Sequence, residues 1–254
     1  MTATLFIHLL GHFRLIHGAV QVAGLHTARL QSLLAYLLLR CNAPEPRQQI
    51  AFQLWPDSTE GQARTNLRNL LHQLRHALPA IDQCLSAQGH DLQWLPTIPV
   101  CLDVAEFETA LAGGAPGEAV ALYGGDLLPD CYDEWILADR DRLQQGFALA
   151  LQRLIQGLEA QHDYAAAIVP ARQLLQQDRL REAAYRQLMR LHALNGDRAA
   201  AVRVYNDCAS MLQRELAVAP SRLTREAYER ALAAEPVDAW EAEPLTDLPA
   251  APAP

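Results

Sequence analysis

Apolar and polar positions alternate in short runs at the start of the chain, through TLFIHLLGHFRLIHGAVQV. Turn residues sit at Gly11 and at His17–Gly18, so the first 25 residues predict a small antiparallel sheet. The pattern then changes period. Leu30, Leu33, Leu34, Leu37, Leu38 and Cys41 recur at helical spacing, and the prolines of NAPEP stop that helix. A short helix is predicted over about Arg47 to Leu54. A longer one follows WPDSTE, with Asp57 or Ser58 as its N-cap and Asp57 with Glu60 at capping-box spacing. HDLQWLPTIPVCLDV reads as two short strands around a turn, with LPTIPV as the wing. Sheet, three helices and a hairpin is the element order of a winged helix-turn-helix.

The helix Gln62 to Leu78 has three distinct faces. At about 100° per residue, Ala63, Leu67, Leu70, Leu71, Leu74 and Leu78 form one apolar stripe that must meet a core. Thr65, Asn69, His72 and His76 lie opposite. Arg64, Arg68 and Arg75 share one shoulder, and Asn66 lies on the other. Arginines in a row suit a phosphate backbone beside the helix. Short polar side chains on the crest suit base edges in a major groove, where asparagine can bridge adenine N6 and N7. No acid interrupts residues 62–78.

From Asp103 onward the pattern is almost wholly helical. HDYAAAI at 162–168 recurs as GDRAAAV at 196–202, an offset of 34 residues, which is the tetratricopeptide period. The pattern divides the chain into a winged helix-turn-helix at 1–102, a tetratricopeptide-like helical domain at 103–235 and a disordered tail rich in proline and acid at 236–254. The fold class expected is mainly α.

Charge sharpens this division. All 21 basic residues are arginine, and the net charge is −8. Residues 1–100 hold seven arginines against five acids and seven of the nine histidines, whereas residues 101–254 hold fourteen arginines against twenty-four acids. A positive helix on an acidic chain points to a polyanionic partner. The longest apolar run, Leu33 to Leu39, is too short to span a bilayer, so no membrane is expected as a partner. No signal peptide is read at the N-terminus, and the five cysteines are scattered without a Cys-x-x-Cys pair, which fits a cytoplasmic protein.

Three stretches then resemble a known family: LWPDSTEGQARTNLRNLLHQLRHAL, CLDVAEFETAL and ALYGGDLLPDCYDEWILADRDRL. They are similar to SARP-like bacterial regulators, which join a winged helix-turn-helix to a bacterial transcriptional activator domain (BTAD). GDRAAAVRVYNDCASMLQRELAVAPSRLTREAYERAL is similar to the closing, tetratricopeptide-like part of that domain, and the resemblance runs from about Leu9 to Leu232. It implies that Gln62–Leu78 is the recognition helix, with Arg64, Asn66, Leu67, Arg68, Leu74 and Arg75 at matching positions. It implies promoter binding to double-stranded DNA and recruitment of RNA polymerase, with Pro56, Asp57, Ser58, Thr59 and Glu60 in the loop that touches polymerase. The helical domain then serves a homodimer, regulation or a protein partner. Taken with the helical faces, the expected DNA-binding residues are Arg64, Thr65, Asn66, Arg68, Asn69, His72 and Arg75.

Other constellations carry less. His8, His12 and His17 change face along the sheet and have no completing ligand, so no metal is expected. GGAPGE and YGGD are turns: the chain has no lysine for a phosphate-binding loop, and no cofactor is expected. The acids and arginines of DEWILADRDRL read as surface ion pairs, there is no Gly-x-Ser-x-Gly elbow, and nothing argues for an enzyme. Tyr164, Arg172, Tyr185, Arg186 and Tyr205 are candidates to line a concave helical face, or to pack within the helix pairs. The alternative to a DNA-binding regulator is an interaction scaffold whose winged helix no longer binds DNA.

Overall fold

A computed structural model describes residues 3–41 and 43–233. The tail expected at 236–254 lies outside the described residues. The chain forms two compact units, Met1–Phe147 and Ala148–Pro254.

In the first unit, β1 (Leu5–His8) pairs antiparallel with β2 (Arg14–His17), which pairs with β3 (Val20–Gln21). Leu5, Ile7 and Leu15 point into the core, as period-2 alternation requires. Helix α1 (Ala28–Leu39) is capped by Thr27, whose hydroxyl accepts from Leu30 N. It ends before Cys41, which lies in the following turn. A two-residue strand β4 (Glu45–Pro46) leads into α2 (Arg47–Leu54), and α3 (Glu60–Ala77) follows. Ile50, Leu54, Leu67 and Leu74 are buried together with the Leu33–Leu38 run of α1.

Two expectations change here. The cap of α3 is Thr59, not Asp57 or Ser58: its side chain accepts from Gln62 N at 3.4 Å. Thr59 and Gln62 hold the Thr-x-x-Gln spacing of a capping box, and the helix starts two residues before its acid-free part, at Glu60. The wing is also not LPTIPV. It is β5 (Leu85–Ser86) against β6 (Asp91–Trp94), and β6 also pairs with β4. LPTIPV crosses instead to β7 (Val100–Leu102), which joins the N-terminal sheet parallel to β1, in the order β3-β2-β1-β7. A strand of two residues has no readable period, and a parallel pairing across some ninety residues leaves no local signal.

The unit continues through α4 (Asp103–Ala112), α5 (Pro116–Leu122) and the start of α6 (Leu137–Ala160). Asp103 is 4% exposed, and its Oδ2 accepts from the backbone N–H groups of Leu9 and Leu10, both at 2.8 Å. Burial pushes this carboxyl up, and three backbone N–H donors pull it back. Gly11 then passes the YGGD turn so closely that a Cβ would sit 3.0 Å from the Gly124 carbonyl oxygen, at a φ of +86° that favours glycine. Of the acids and arginines of DEWILADRDRL, Glu134, Asp141 and Arg142 are exposed, but Asp133, Asp139 and Arg140 are not surface pairs, because the chain folds over them. Asp139 is buried against Arg40, at 2.9 Å, and Arg142. Arg140 donates to the carbonyls of Leu127, Leu128 and Cys131. Asp133 accepts from Arg29 and from the Ser32 hydroxyl, each at 2.7 Å.

The second unit is helical among its described residues. It holds the rest of α6, then α7 (Tyr164–Gln177), α8 (Glu182–Leu194), α9 (Arg198–Leu216) and α10 (Arg222–Ala233). The repeat is visible in its caps: Asp163 accepts from Ala166 N at the start of α7, and Asp197 accepts from Ala200 N at the start of α9. Helix α8 packs against α7, α9 and α10 through Ala184, Leu188, Met189 and Leu191. The winged helix-turn-helix and the tetratricopeptide-like helices are as the sequence pattern predicts.

Candidate nucleic-acid interface

Helix α3 buries Ala63, Leu67, Leu70, Leu71 and Leu74 and turns its other faces outward. Arg64, Thr65, Arg68, Asn69, His72 and Arg75 are exposed, and Asn66 is half-buried. The seven residues expected from the sequence therefore share one helix on its solvent side. Their side chains are not equally available. Arg64 lies 3.5 Å from Glu60 one turn back, and Arg75 Nε donates to Asp82 Oδ1 at 2.9 Å. Among the described residues Arg68 makes no ion pair.

The polar crest is partly pre-arranged. Gln62 Nε2 donates to Asn66 Oδ1 at 2.8 Å, which leaves the Asn66 amino group to face outward as a donor. The Thr65 hydroxyl donates to Gly61 O at 2.9 Å, so it can offer only acceptor lone pairs. His72 and His76 meet through their Nε2 atoms at 3.2 Å. Asn69 makes no side-chain hydrogen bond among the described residues.

Three residues missed by sequence reasoning complete the surface. A notch of about 340 Å³ opens where α3, the start of α2 and the wing tip converge, lined by Arg47, Gln48, Arg64, Arg68 and His90 with Leu67 and Leu71 beneath. The Arg47 backbone N–H donates to His90 O at 2.9 Å, which fixes the wing tip beside α2, and the buried Arg47 Nε has no hydrogen-bond partner among the described residues. Once β5–β6 is taken as the wing, its tip Ala87–His90 brings His90 to this notch; placing the wing at LPTIPV hid it.

The expected polymerase loop joins α2 to α3. Pro56, Asp57, Thr59 and Glu60 are exposed, and Ser58 is half-buried with its N–H donating to Trp55 O at 3.2 Å. Beside it Phe52 is 63% exposed, and a second concavity of about 590 Å³ runs past Phe52, Trp55, Ser58 and Glu60. Of the five residues considered for a concave helical face, Tyr205 stacks on Tyr228 at 4.2 Å, Tyr164 meets His162 and Arg186 meets Thr224. Arg172 and Tyr185 line a groove in the second unit.

A winged helix-turn-helix followed by tetratricopeptide-like helices is the architecture these elements define. The chain belongs to the bacterial transcriptional activator domain family, whose model matches residues 103–232, just over half of its length. It is a transcriptional regulator of the SARP type, in a family of regulators and not of enzymes. Among solved structures, the chain is similar to Mycobacterium tuberculosis EmbR in complex with a low affinity phosphopeptide, with a TM-score of 0.62 and 20% identity over 93% of this chain and 67% of that one. At that identity the likeness speaks for the fold alone. Comparison with curated proteins found no match. Among the described residues no helix is long and apolar enough to cross a membrane.

Proposed function

We propose that this protein binds double-stranded promoter DNA by laying α3 in the major groove, and that the loop Pro56–Glu60 contacts RNA polymerase. The observation that carries the reading is the solvent face of α3. It offers Arg64, Arg68 and Arg75 along one shoulder and Thr65, Asn69 and His72 on the crest, with Arg47 and His90 beside them across the notch. Guanidinium groups on a shoulder neutralise phosphates without reading sequence. Asn69 can donate and accept on one base edge, which is what reading a base pair requires, and Asn66 adds its amino group as a donor. Helix, wing tip and the N-terminus of α2 then contact a single stretch of duplex.

The scaffold reading keeps one observation in its favour: two of the three shoulder arginines already hold carboxylates. Those pairs are exposed, so each is worth only about 0–1 kcal/mol and yields to a phosphate. Selection from random duplexes with the intact chain, followed by binding measured from low to moderate salt, decides between the readings. Regulation by DNA binding requires an enriched motif and an affinity falling with salt by a log–log slope of about −0.9 per phosphate neutralised. An intact chain that shifts no duplex at low salt leaves only the scaffold.

A further inference from the structure

The second unit holds a groove that DNA binding does not use. It is a solvent-open trough of about 550 Å³ between α7, α8 and α9. Leu188 and Val204 form an apolar floor, with Leu175 and Met211 at its sides. Four guanidinium groups line it: Arg172 from α7, Arg179 from the turn that follows it, and Arg203 and Arg214 from α9. All four are exposed, and Asp207 is the one carboxylate among the lining residues. Arg172 and Arg179 make no ion pair among the described residues. Arg203 stands 3.9 Å from Asp197, and Arg214 is held by its own neighbour Glu215.

His192 marks the floor. It is 5% exposed, lines the groove, and its buried Nδ1 has no hydrogen-bond partner among the described residues. A buried imidazole nitrogen without a partner is costly. Burial, then Arg172, holds the imidazole below its ordinary range, with Arg203 acting in the same sense against Asp197.

We propose that this groove docks an acidic peptide segment of a protein partner, one that alternates carboxylates with apolar side chains. Charge complementarity carries the choice. On a chain of net charge −8, this trough gathers four arginines against one lining carboxylate, and Arg172 and Arg179 have no carboxylate of their own among the described residues, so the trough attracts an anion. Guanidinium groups grip carboxylates in two parallel hydrogen bonds, which a point charge cannot do. The apolar floor takes the alternate side chains. An open trough between stacked helices of a tetratricopeptide-like array fits an extended segment.

The test uses the intact chain and a fluorescein-labelled synthetic peptide, three repeats of Glu-Ala-Glu-Leu, followed by fluorescence anisotropy. Saturable binding is expected, weakened by salt and absent for the peptide with glutamine in place of glutamate. Arg172→Gln with Arg203→Gln should lower the affinity on the order of tenfold or more, as two charge-assisted contacts are lost. Its melting temperature and its affinity for DNA should stay those of the parent, since both side chains are exposed and outside the first unit. Equal binding of the glutamine peptide, or an unaffected double variant, overturns the proposal. So does loss of DNA affinity in the double variant, which makes the groove a nucleic-acid surface. Peptide binding seen only after residues 234–254 are removed assigns the groove to this chain's own acidic stretch. Peptide binding that dissolves a dimer assigns it to a second copy.

Discussion

Arg75 Nε donates to Asp82 Oδ1 at 2.9 Å across the turn that ends α3. The carboxylate therefore competes with any phosphate that approaches the last arginine of the shoulder. Both groups are well exposed, at 42% and 67%, so their attraction is modest. Asp82→Asn should strengthen binding to duplex DNA about two- to threefold at low salt, with the gain shrinking as salt screens the removed charge. Anisotropy titrations of the two proteins at two salt concentrations measure it. Identical affinities would mean that Arg75 does not face the backbone.

The repeat supplies a stability prediction. His162 and Gly196 sit 34 residues apart and adopt the same left-handed backbone, with φ of 58° and 79°. Each precedes an aspartate that caps the next helix. A non-glycine residue is strained there, so His162→Gly should raise stability by about 0.5–1 kcal/mol, less whatever the His162–Tyr164 hydrogen bond contributes. Gly196→Ala should lower it by about 1 kcal/mol. Urea denaturation of the full chain reads both changes, and the same sign for the two would contradict the equivalence of the turns.

Acid should loosen the last helix. Glu182 Oε2 accepts from the N–H and the hydroxyl of Ser221, and the Ser221 hydroxyl lies at capping distance from Thr224 N at the start of α10. Burial alone would raise this carboxyl, but hydrogen bonds from Thr224 and Ser221 and the nearby Arg186 hold it below its usual range. A depressed folded value means stability that is fully present above the unfolded value of about 4.3 and lost as pH falls below it. Melting curves between pH 6 and pH 3 should fall less steeply for Glu182→Gln than for the parent. A parallel fall would show that the carboxylate contributes nothing at this joint.

Arg140 holds three carbonyls of the 127–131 loop. Removing a charged donor strands those acceptors, so Arg140→Ala should cost about 2–4 kcal/mol of stability in the full chain, and Arg140→Lys most of that. Thermal melts test it, and a loss below about 0.5 kcal/mol would place the loop's stability elsewhere.

Amphipathic strength decided what the sequence disclosed. The apolar stripe of α3 and the 34-residue repeat are local and periodic, so both were legible, and so were the exposed faces of the DNA-binding candidates. The wing was not: β5 is two residues long, and β7 finds its partner β1 at the other end of the unit. Asp139 and Arg140 looked solvated because spacing along one helix cannot show that a loop from 127 to 131 covers it. Arg47 and His90 escaped for the same reason, since only the tertiary fold carries the start of α2 and the wing tip to α3.

The central claim is that α3 reads DNA with its crest and holds it with its shoulder, and a comparison of Asn69→Ala with Arg68→Ala tests it most directly. Their affinities are measured for a selected duplex and for its scrambled version. Asn69→Ala should cost about 1–3 kcal/mol on the selected duplex and little on the scrambled one. Arg68→Ala should weaken both about equally and reduce the salt slope by roughly one phosphate contact. If Asn69→Ala weakens both duplexes alike, or neither, α3 is not docked in the major groove as described.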